Sequence, residues 1–253
     1  MRRFLRRLAG VAALLLAWEG FSRSGVITRE YFPPPSEVAV ALVRMLGERE
    51  FLLDLVATLL AWLIAVGVAV LVAVPAGLVL GSIPVVRTAV GAVIEFLRPI
   101  PAIMWWPLFS IVLVDGPRTK ITLAVYAAVW PILLNIVYAL GEVDRGYVET
   151  ARSFGLGRLS VLLWVKLPDV VPFAITSLRI AATFALLVVF STELVFGGDR
   201  GIGIYLIRYG EESGRLDIVL AGAVLAGVLG YLSNSAFAAL QRKFVVWAPG
   251  EPR

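Results

Sequence analysis

The feature that most constrains this chain is a set of three long apolar stretches without a charged residue: 55–80, 121–140 and 218–240. A helix needs about 20 residues to cross roughly 30 Å of hydrocarbon at about 1.5 Å per residue, and each stretch is that long. Hydrophobic residues make up 60% of the chain and charged residues 16%, against about 45–50% and about 25% in soluble domains. The sequence therefore predicts an all-α polytopic membrane protein and excludes an ordinary soluble enzyme, a coiled coil or a disordered chain.

Three more windows are long enough to span a membrane but have charges in or beside them: 8–27, 89–114 and 170–196. The second carries Glu95 and Arg98, and the third carries Arg179 and Glu193. The first follows four arginines, as the apolar part of a signal peptide would. No A-x-A cleavage site follows it, so we expect it to be retained as the orienting first helix. The sequence thus predicts six spans in a single transmembrane domain over residues 1–253.

The distribution of basic residues predicts the orientation of the spans. With six spans, the segments on the N-terminal side hold 12 Lys and Arg against 5 Asp and Glu, and the opposite segments hold 9 against 10. Cytoplasmic segments of membrane proteins carry the excess of Lys and Arg. Both termini are therefore expected in the cytoplasm, and the net charge of +5 reflects orientation rather than binding of nucleic acid.

The residue types that many enzymes use are missing from the sequence. The chain has no Cys and no His, which excludes disulfides, thiolate or imidazole metal sites and imidazole-based triads. It has no G-x-x-x-x-G-K-[ST] phosphate loop, and Gly201-Ile202-Gly203 is too short for a nucleotide-binding fingerprint. We expect a non-catalytic chain that binds no metal or cofactor and hydrolyses no ATP.

The longest segment predicted on the inner side, residues 141–168, is expected to be structured. Residues 143–154 are helix formers with acids early and Arg152 late, and Gly155 is placed to end the helix in a left-handed conformation. A second helix is predicted over 158–166, ended by Pro168. A rigid helix, corner and helix would receive force from a soluble partner. The alternative is an amphipathic hairpin that lies on the lipid headgroups.

The same segment carries a spaced motif. It reads E-T-A, three residues, G, nine residues and V-K-L-P, and the motif positions are Glu149, Thr150, Ala151, Gly155, Val165, Leu167 and Pro168. This resembles the EAA loop, E-A-A-x3-G-x9-I-x-L-P, of the membrane subunits of binding-protein-dependent ABC importers. Thr150 replaces an Ala of that pattern, and Val165 replaces its Ile. The resemblance implies that all of these positions except Val165 couple the chain to an ATPase subunit.

Three further stretches narrow the resemblance to one branch of these importers. They are PPPSEV at 33–38, LRPIPAIMWWPL at 97–108 and TELVFGGDRGIG at 192–203. The first is similar to the P-x-P-S-E-V segment of the sulfonate, taurine and nitrate branch, and the second to its R-P-I-P and W-x-P-L region. The third is similar to its A-E-x-x-x-G-G-x-x-G-x-G stretch.

The resemblance implies a six-helix permease in a prokaryotic plasma (inner) membrane. The implied partners are a second permease copy in a homodimer, two ATP-binding subunits that hold ATP and Mg²⁺, an extracytoplasmic solute-binding protein and lipid. The implied solute is of the sulfonate, taurine or nitrate type. A thiamine-precursor or riboflavin-type solute is the alternative within this class. A secondary transporter and an intramembrane enzyme are the alternatives outside it.

Charged and aromatic residues within the spans are candidates for the translocation path: Arg98, Trp105, Trp106, Arg179 and Glu193. A charge at the bilayer centre costs about 2.5–3.5 kcal/mol on insertion scales, so such residues are paired or functional. Arg98 or Arg179 would meet an anionic solute, but Arg179 could equally pair with Glu193 or extend to the headgroups. Glu193 could equally hold the turn after its span. The tryptophans, and Tyr126 with them, could equally belong to packed or interfacial layers.

Overall fold

The structure, a computed structural model, describes residues 2–244, without the side chains of 2–5, 7, 8 and 244. Its helices are α1 Arg2–Arg23, α2 Pro35–Gly47, α3 Arg49–Ser82, α4 Pro84–Leu97, α5 Trp106–Leu113, α6 Gly116–Glu142, α7 Arg145–Ser153, α8 Arg158–Val161, α9 Leu167–Phe196, α10 Ile202–Leu206 and α11 Leu216–Phe244. A 3₁₀ turn at Ala102–Trp105 precedes α5, and π turns at Leu162–Lys166 and Ile207–Glu211 follow α8 and α10. No strand occurs in the part of the chain that is described, and the predicted all-α class is confirmed. Glu251 and Arg253, which entered the charge count for the C-terminal end, lie outside the described residues.

Four of the six predicted spans are helices with the length and hydropathy needed to cross a membrane. They are Arg49–Ser82, Gly116–Glu142, Arg158–Phe196 and Leu216–Lys243. These helices contain the predicted windows 55–80, 121–140, 170–196 and 218–240. The apolar stretches identified from the sequence therefore mark the long helices correctly. Three of the helices extend beyond the window at both ends, and Arg158–Phe196 extends beyond it only at its start.

The window 89–114 is not one continuous helix, and its predicted crossing as a single span stays a prediction. α4 and the helical stretch Ala102–Leu113 meet at an angle of 88°. The break lies at 98–101, where Pro99 and Pro101 lack the N–H that would continue the α4 hydrogen bonds and also restrict the residues before them. The bent pair provides one more crossing if it counts as a single span.

α1 begins and ends earlier in the chain than the predicted window 8–27. It ends at Arg23, and the chain then turns at Ser24 and Gly25, which has a φ of +79°. Among the described helices, α1 is not one of those long and apolar enough to span by themselves. The count of six spans and the cytoplasmic position of the termini therefore stay predictions.

The chain divides into two compact units, of which the larger comprises residues 60–189 together with the chain from 230 onward. Its core packs α3, α6 and α9 through small side chains. Four alanines at every fourth residue of α3 are at most 4% exposed: Ala61, Ala65, Ala69 and Ala73. A Cβ at Gly77 would lie 3.0 Å from the Cβ of Ile136, and one at Gly81 would lie 2.5 Å from Cδ1 of Leu140. Small residues thus let α3 and α6 approach closely within this unit.

The smaller unit comprises the chain up to residue 59 and residues 190–229. The Ser22 hydroxyl donates to the Phe32 carbonyl at 2.6 Å, which holds the connection after α1 against its last turn. Phe51 at the start of α3 packs edge-on against Tyr205 of α10, with ring centroids 5.0 Å apart. Both rings are buried. This packing positions the loop between α9 and α10.

Candidate functional site

α7 carries the first three residues of the predicted coupling motif and begins at a formed cap. Asp144, at the N-cap, accepts a hydrogen bond from the Gly146 amide at 2.7 Å, which satisfies one of the free N–H groups of the first turn. The helix Arg145–Ser153 lies within the predicted range of 143–154. Glu149 and Thr150 are exposed, and Ala151 is half-buried. The acidic residue of the motif is therefore available to a partner rather than used in the core.

Gly155 ends α7 in the left-handed conformation, as predicted, with a φ of +81°. Its amide donates to the Arg152 carbonyl at 2.8 Å, and the Leu156 amide donates to the Ala151 carbonyl at 3.2 Å. These two bonds form a Schellman motif, which satisfies carbonyls at the end of a helix. A Cβ at Gly155 would meet nothing within 4 Å. Glycine is needed here for its backbone conformation and not for space.

Pro168 does not end the second helix, contrary to the prediction from the sequence. α8, the π turn and α9 continue into one another as a helix of 39 residues, Arg158–Phe196. In the π turn the Leu167 amide donates to the Leu162 carbonyl, five residues back. The turn is therefore wider just before the proline, whose ring would clash with the carbonyl four residues back in a regular α-helix. Leu167 and Pro168 lie at the start of α9, so the second half of the predicted coupling segment is a direct extension of this long helix.

Large apolar side chains on this segment are exposed in the single chain. Phe154 is 81% exposed, Leu159 67% and Tyr147 64%. Grouped exposed apolar residues mark contact sites for a protein or a membrane. These three residues and Glu149, all exposed within the segment 147–159, are what we call the docking face.

Glu193 is fully buried, and groups from two other segments hold its carboxylate. The Thr58 hydroxyl lies 3.0 and 2.9 Å from the two carboxylate oxygens, and the Gly203 amide donates to Oε2 at 3.1 Å. Burying a carboxylate is costly unless it is paired or hydrogen-bonded, and these donors reduce that cost. Thr58 also accepts a hydrogen bond from the Ile202 amide at 2.9 Å. α3, α9 and the start of α10 are therefore tied together at this carboxylate.

The loop at residues 197–203, which we call the glycine loop, folds over Glu193. A Cβ at Gly201 would lie 2.2 Å from Cδ of Glu193, and one at Gly203 would lie 2.6 Å from its Cβ. Asp54 accepts from the Gly201 amide at 3.2 Å and pairs with Arg200 at 3.5 Å. These contacts support the interpretation of Glu193 as a carboxylate that holds the turn after α9. A place for it on the translocation path stays a prediction.

The two arginines singled out from the sequence have different surroundings. Arg179 of α9 is half-buried, and its Nε donates to the side-chain oxygen of Asn234 on α11. Arg98 follows the last residue of α4, and its side chain is exposed at the break. Arg179 thus has a neutral acceptor inside the larger unit, whereas Arg98 stands at an irregular part of the backbone.

Three aromatic residues, Trp105, Tyr126 and Trp130, form what we call the aromatic cluster. Tyr126 packs edge-on against both tryptophans, with ring centroids 5.9 Å from Trp105 and 5.5 Å from Trp130. Its hydroxyl donates to the carbonyl of Leu97, the last residue of α4, at 2.5 Å. The Nε1 atoms of Trp105 and Trp130 are buried, and neither has a hydrogen-bond partner among the described residues. Trp106 is half-buried beside them in the chain.

Residues 69–246 match the family of binding-protein-dependent transport system inner membrane components. The chain belongs to this family. The taurine transport system permease protein of Escherichia coli K12 is 29% identical over 242 residues, which cover 94% of this chain and 87% of that protein. The bicarbonate transport system permease protein of Synechococcus elongatus is 27% identical over 250 residues, covering 93% and 87%.

A solved structure of the MetNI methionine ABC transporter in an inward-facing conformation confirms the permease fold. It aligns with a TM-score of 0.68 over 78% of this chain and 99% of that chain, at 20% identity. The predicted multi-pass location in the inner membrane is confirmed by the family together with the apolar helices.

Three residues that organise these sites in the permease were not identified from the sequence: Asp54, Thr58 and Trp130. Thr58 is the one hydroxyl side chain in the apolar window 55–80, which signals a buried polar partner. That partner, Glu193, lies 135 residues away, and the pattern of apolar residues along the chain cannot identify it. Trp130 lies one helical turn after Tyr126, so the spacing alone could have paired the two rings.

Within the described residues, no group of three or more Asp and Glu side chains is placed to hold a metal ion. Glu193 and Asp54 already accept hydrogen bonds from the protein.

Proposed function

We propose that this permease imports a small solute with an oxyanion group, as the membrane subunit of an ATP-driven transporter. The family and the relatives establish the coarser statement, an importer permease of the branch whose members are named for taurine, bicarbonate, nitrate and aliphatic sulfonates. The solute class is proposed from what these four names share, which is a negatively charged group with several oxygen acceptors.

The proposed partners are a second permease copy, two ATP-binding subunits and an extracytoplasmic solute-binding protein. ATP and Mg²⁺ are assigned to the ATP-binding subunits, because the sequence of this chain holds no phosphate loop. The permease itself is proposed to act without a cofactor and to catalyse no covalent step.

The observation that carries the proposal is the docking face beside the Gly155 corner. Exposed apolar and aromatic side chains such as Tyr147, Phe154 and Leu159 are typical of the anchors of a protein contact. The segment continues as one helix into α9, so a displacement of the corner would move a span without a flexible joint between them. Glu149, Thr150, Ala151, Gly155, Leu167 and Pro168 are proposed to form this coupling element.

Uptake by the reconstituted complex tests the proposal. The permease is placed in proteoliposomes with its ATP-binding subunits and solute-binding protein, and labelled taurine, methanesulfonate, nitrate and bicarbonate are supplied one at a time. We expect uptake of at least one of them only when ATP is present. Uptake driven by a proton or sodium gradient without ATP would contradict the proposal. ATP-driven uptake of riboflavin or a thiamine precursor alone would contradict the solute class but not the transport mechanism.

A matched pair of glycine variants tests the coupling role. Gly155→Val places a β-branched residue at a φ of +81°, and a left-handed conformation costs an L-residue about 1–2 kcal/mol. Gly157→Val makes the same change at a φ of −71° with open space around the Cβ. We expect ATP-driven uptake to fall roughly tenfold or more in Gly155→Val and to change little in Gly157→Val. Equal uptake by the two variants would show that the Gly155 corner does not couple ATP hydrolysis to transport.

A further inference from the structure

We propose that the aromatic cluster and Arg98 bind the oxyanion group of the solute inside the permease, at the break between α4 and the turn Ala102–Trp105. This inference rests on the proposed function, since it names the site at which the solute of that function is held. The donor groups would be the indole N–H groups of Trp105 and Trp130, together with the Arg98 guanidinium.

The two indole N–H groups are the first reason. A buried donor without an acceptor costs about 1–3 kcal/mol, and most buried polar atoms in proteins are paired. Other buried polar side-chain atoms also lack a partner in the described chain, at Trp18, Ser82 and Ser233. Trp105 and Trp130 differ from these because both pack against the same ring, that of Tyr126. Two uncompensated donors in one cluster indicate an acceptor that arrives from outside the chain.

The chemistry of the donors determines the class of ligand. An indole nitrogen donates and cannot accept, and a guanidinium carries five N–H donors and no acceptor. A group that satisfies all three residues must therefore offer several acceptor atoms and carry negative charge, as a sulfonate, a nitrate or a bicarbonate does. An ammonium or a neutral donor would leave the indole groups unpaired.

The backbone at the site supports the same conclusion. Irregular backbone at membrane depth is tolerated where it is buried in protein or lines a water-filled cavity, and not where it faces lipid. When α4 and Ala102–Leu113 cross the membrane as one bent span, the break at 98–101 is such a segment. The Tyr126 hydroxyl holds the Leu97 carbonyl at its edge. Tyr126 is therefore a positioning residue. Its hydroxyl holds the end of α4, which Arg98 follows, and its ring contacts both Trp105 and Trp130.

Trp62 provides the matched control. Its Nε1 donates to the Ala182 carbonyl at 2.8 Å in the same unit, so its donor is already satisfied. Replacing any of these tryptophans by Phe removes the same volume and the same N–H group. A change specific to solute binding should therefore follow Trp105→Phe and Trp130→Phe but not Trp62→Phe.

The first test observes the indole groups directly. The complete transporter is labelled with 5-fluorotryptophan and placed in nanodiscs, and its ¹⁹F resonances are assigned with the Trp105→Phe and Trp130→Phe variants. We expect methanesulfonate and nitrate to shift both resonances saturably, while choline leaves them in place. If neither anion shifts either resonance although the same preparation takes up that anion with ATP, this inference is wrong and the proposed function stands. Absence of ATP-driven uptake of every oxyanion would instead contradict the proposed function.

The second test measures uptake kinetics. Trp105→Phe and Trp130→Phe are expected to raise the apparent KM for the transported anion about fivefold or more, whereas Trp62→Phe lowers the melting temperature and leaves the KM unchanged. Tyr126→Phe is expected to raise the KM less than either variant of the cluster. If the two cluster variants dissociate the permease dimer and leave the KM unchanged, the acceptors for the two indole N–H groups belong to a second permease copy. The inference is then overturned.

Discussion

Gly155 and Gly203 of the permease lie in the segments that follow α7 and α9, and both positions require glycine, but for opposite reasons. Gly155 has a φ of +81°, and its missing Cβ would point into open space. Gly203 lies within α10 with an ordinary helical backbone, and a Cβ there would lie 2.6 Å from the Cβ of Glu193 and 2.9 Å from the Leu194 amide nitrogen. Glycine is needed at position 155 for its left-handed backbone conformation, and at position 203 because a side chain there has no space.

Because of this difference, substitutions of the two glycines should disturb different properties of the permease. The Gly155 corner is exposed, so its geometry is available to a partner and its failure should affect coupling more than folding. The glycine loop is closed over a buried carboxylate, so its failure should affect folding first. Substitutions at the two positions should therefore differ in the size of their effect, and also in which replacement is tolerated better.

The largest effect is expected for Gly203→Ala. The nearest atoms to the added Cβ are the Cβ and backbone atoms of Glu193 and the Leu194 nitrogen, which cannot move without shifting α9. Overpacking of this kind costs about 1–3 kcal/mol and occasionally more, and we expect the upper end of that range. The free energy of unfolding in SDS titrations of the purified permease measures it.

Gly227→Ala is the control for that variant. Gly227 lies in α11, and a Cβ there would meet nothing within 4 Å. The same chemical change should stabilise this helix by up to about 1 kcal/mol, because alanine has the higher helix propensity. A Gly203→Ala permease that unfolds like the wild type would remove the distinction between Gly155 and Gly203.

The next effect distinguishes Gly201 from Gly203, two of the glycines of the loop, by their energetic coupling to Glu193. A Cβ at Gly201 would contact the Cδ and carboxylate oxygens of Glu193, whereas a Cβ at Gly203 would contact atoms that an alanine at position 193 keeps. Glu193→Ala should therefore relieve the cost of Gly201→Ala, with a coupling energy of about 0.5–3 kcal/mol in a double-mutant cycle. It should not relieve the cost of Gly203→Ala. Equal coupling in both cycles would mean that the carboxylate does not limit the space at Gly201.

A smaller effect is expected at the Gly155 corner. There asparagine should be tolerated better than alanine, which is the reverse of the order expected at Gly203. Asn visits the left-handed conformation more readily than Ala, so Gly155→Asn should preserve the Schellman hydrogen bonds better than Gly155→Ala. In Gly155→Ala, a conformational cost of about 1.4 kcal/mol would speed hydrogen exchange of the amides at positions 155 and 156 about tenfold. Hydrogen-exchange mass spectrometry measures this. At Gly203 the smaller alanine should be the better tolerated of the two.

The sequence predicted the Gly155 corner because everything that forms it is local. The left-handed residue, the helix before it and the bonds that close it all lie within a few residues, and the spacing of the motif marks them. The long helices were predictable for the same reason, since an apolar run of sufficient length identifies a span without knowledge of its neighbours.

The glycine loop and the break in the window 89–114 were not predictable in the same way. The loop depends on Thr58 and Asp54, which lie far away in the sequence, and only the fold brings them to Glu193. The prolines of the window were visible, but proline also occurs inside the intact helix α3, at Pro75. Whether a proline bends or breaks a span depends on the groups that satisfy the freed backbone, and these belong to other helices.

The smallest effect concerns the far side of the glycine loop, where α10 is anchored through Tyr205. Its hydroxyl donates to a Glu48 carboxylate oxygen at 2.5 Å, and the ring is 2% exposed. Burial, and next the bond to Glu48, raise the pKa of this phenol above its usual value near 10. The stability that this shift contributes is fully present below the unfolded pKa and is lost as the pH rises above it.

Tyr205→Phe is expected to lower the free energy of unfolding by about 1 kcal/mol near pH 7, since one hydrogen bond is lost. It should also reduce the further loss of stability that the wild type shows as the pH rises above about 10. Tyr31→Phe is the control, because Tyr31 is 71% exposed and its replacement should change neither quantity. SDS unfolding at several pH values measures both. If Tyr205→Phe and the wild type lose the same stability in alkali, the phenol does not hold α10, and the glycine loop depends on Glu193, Thr58 and Asp54 alone.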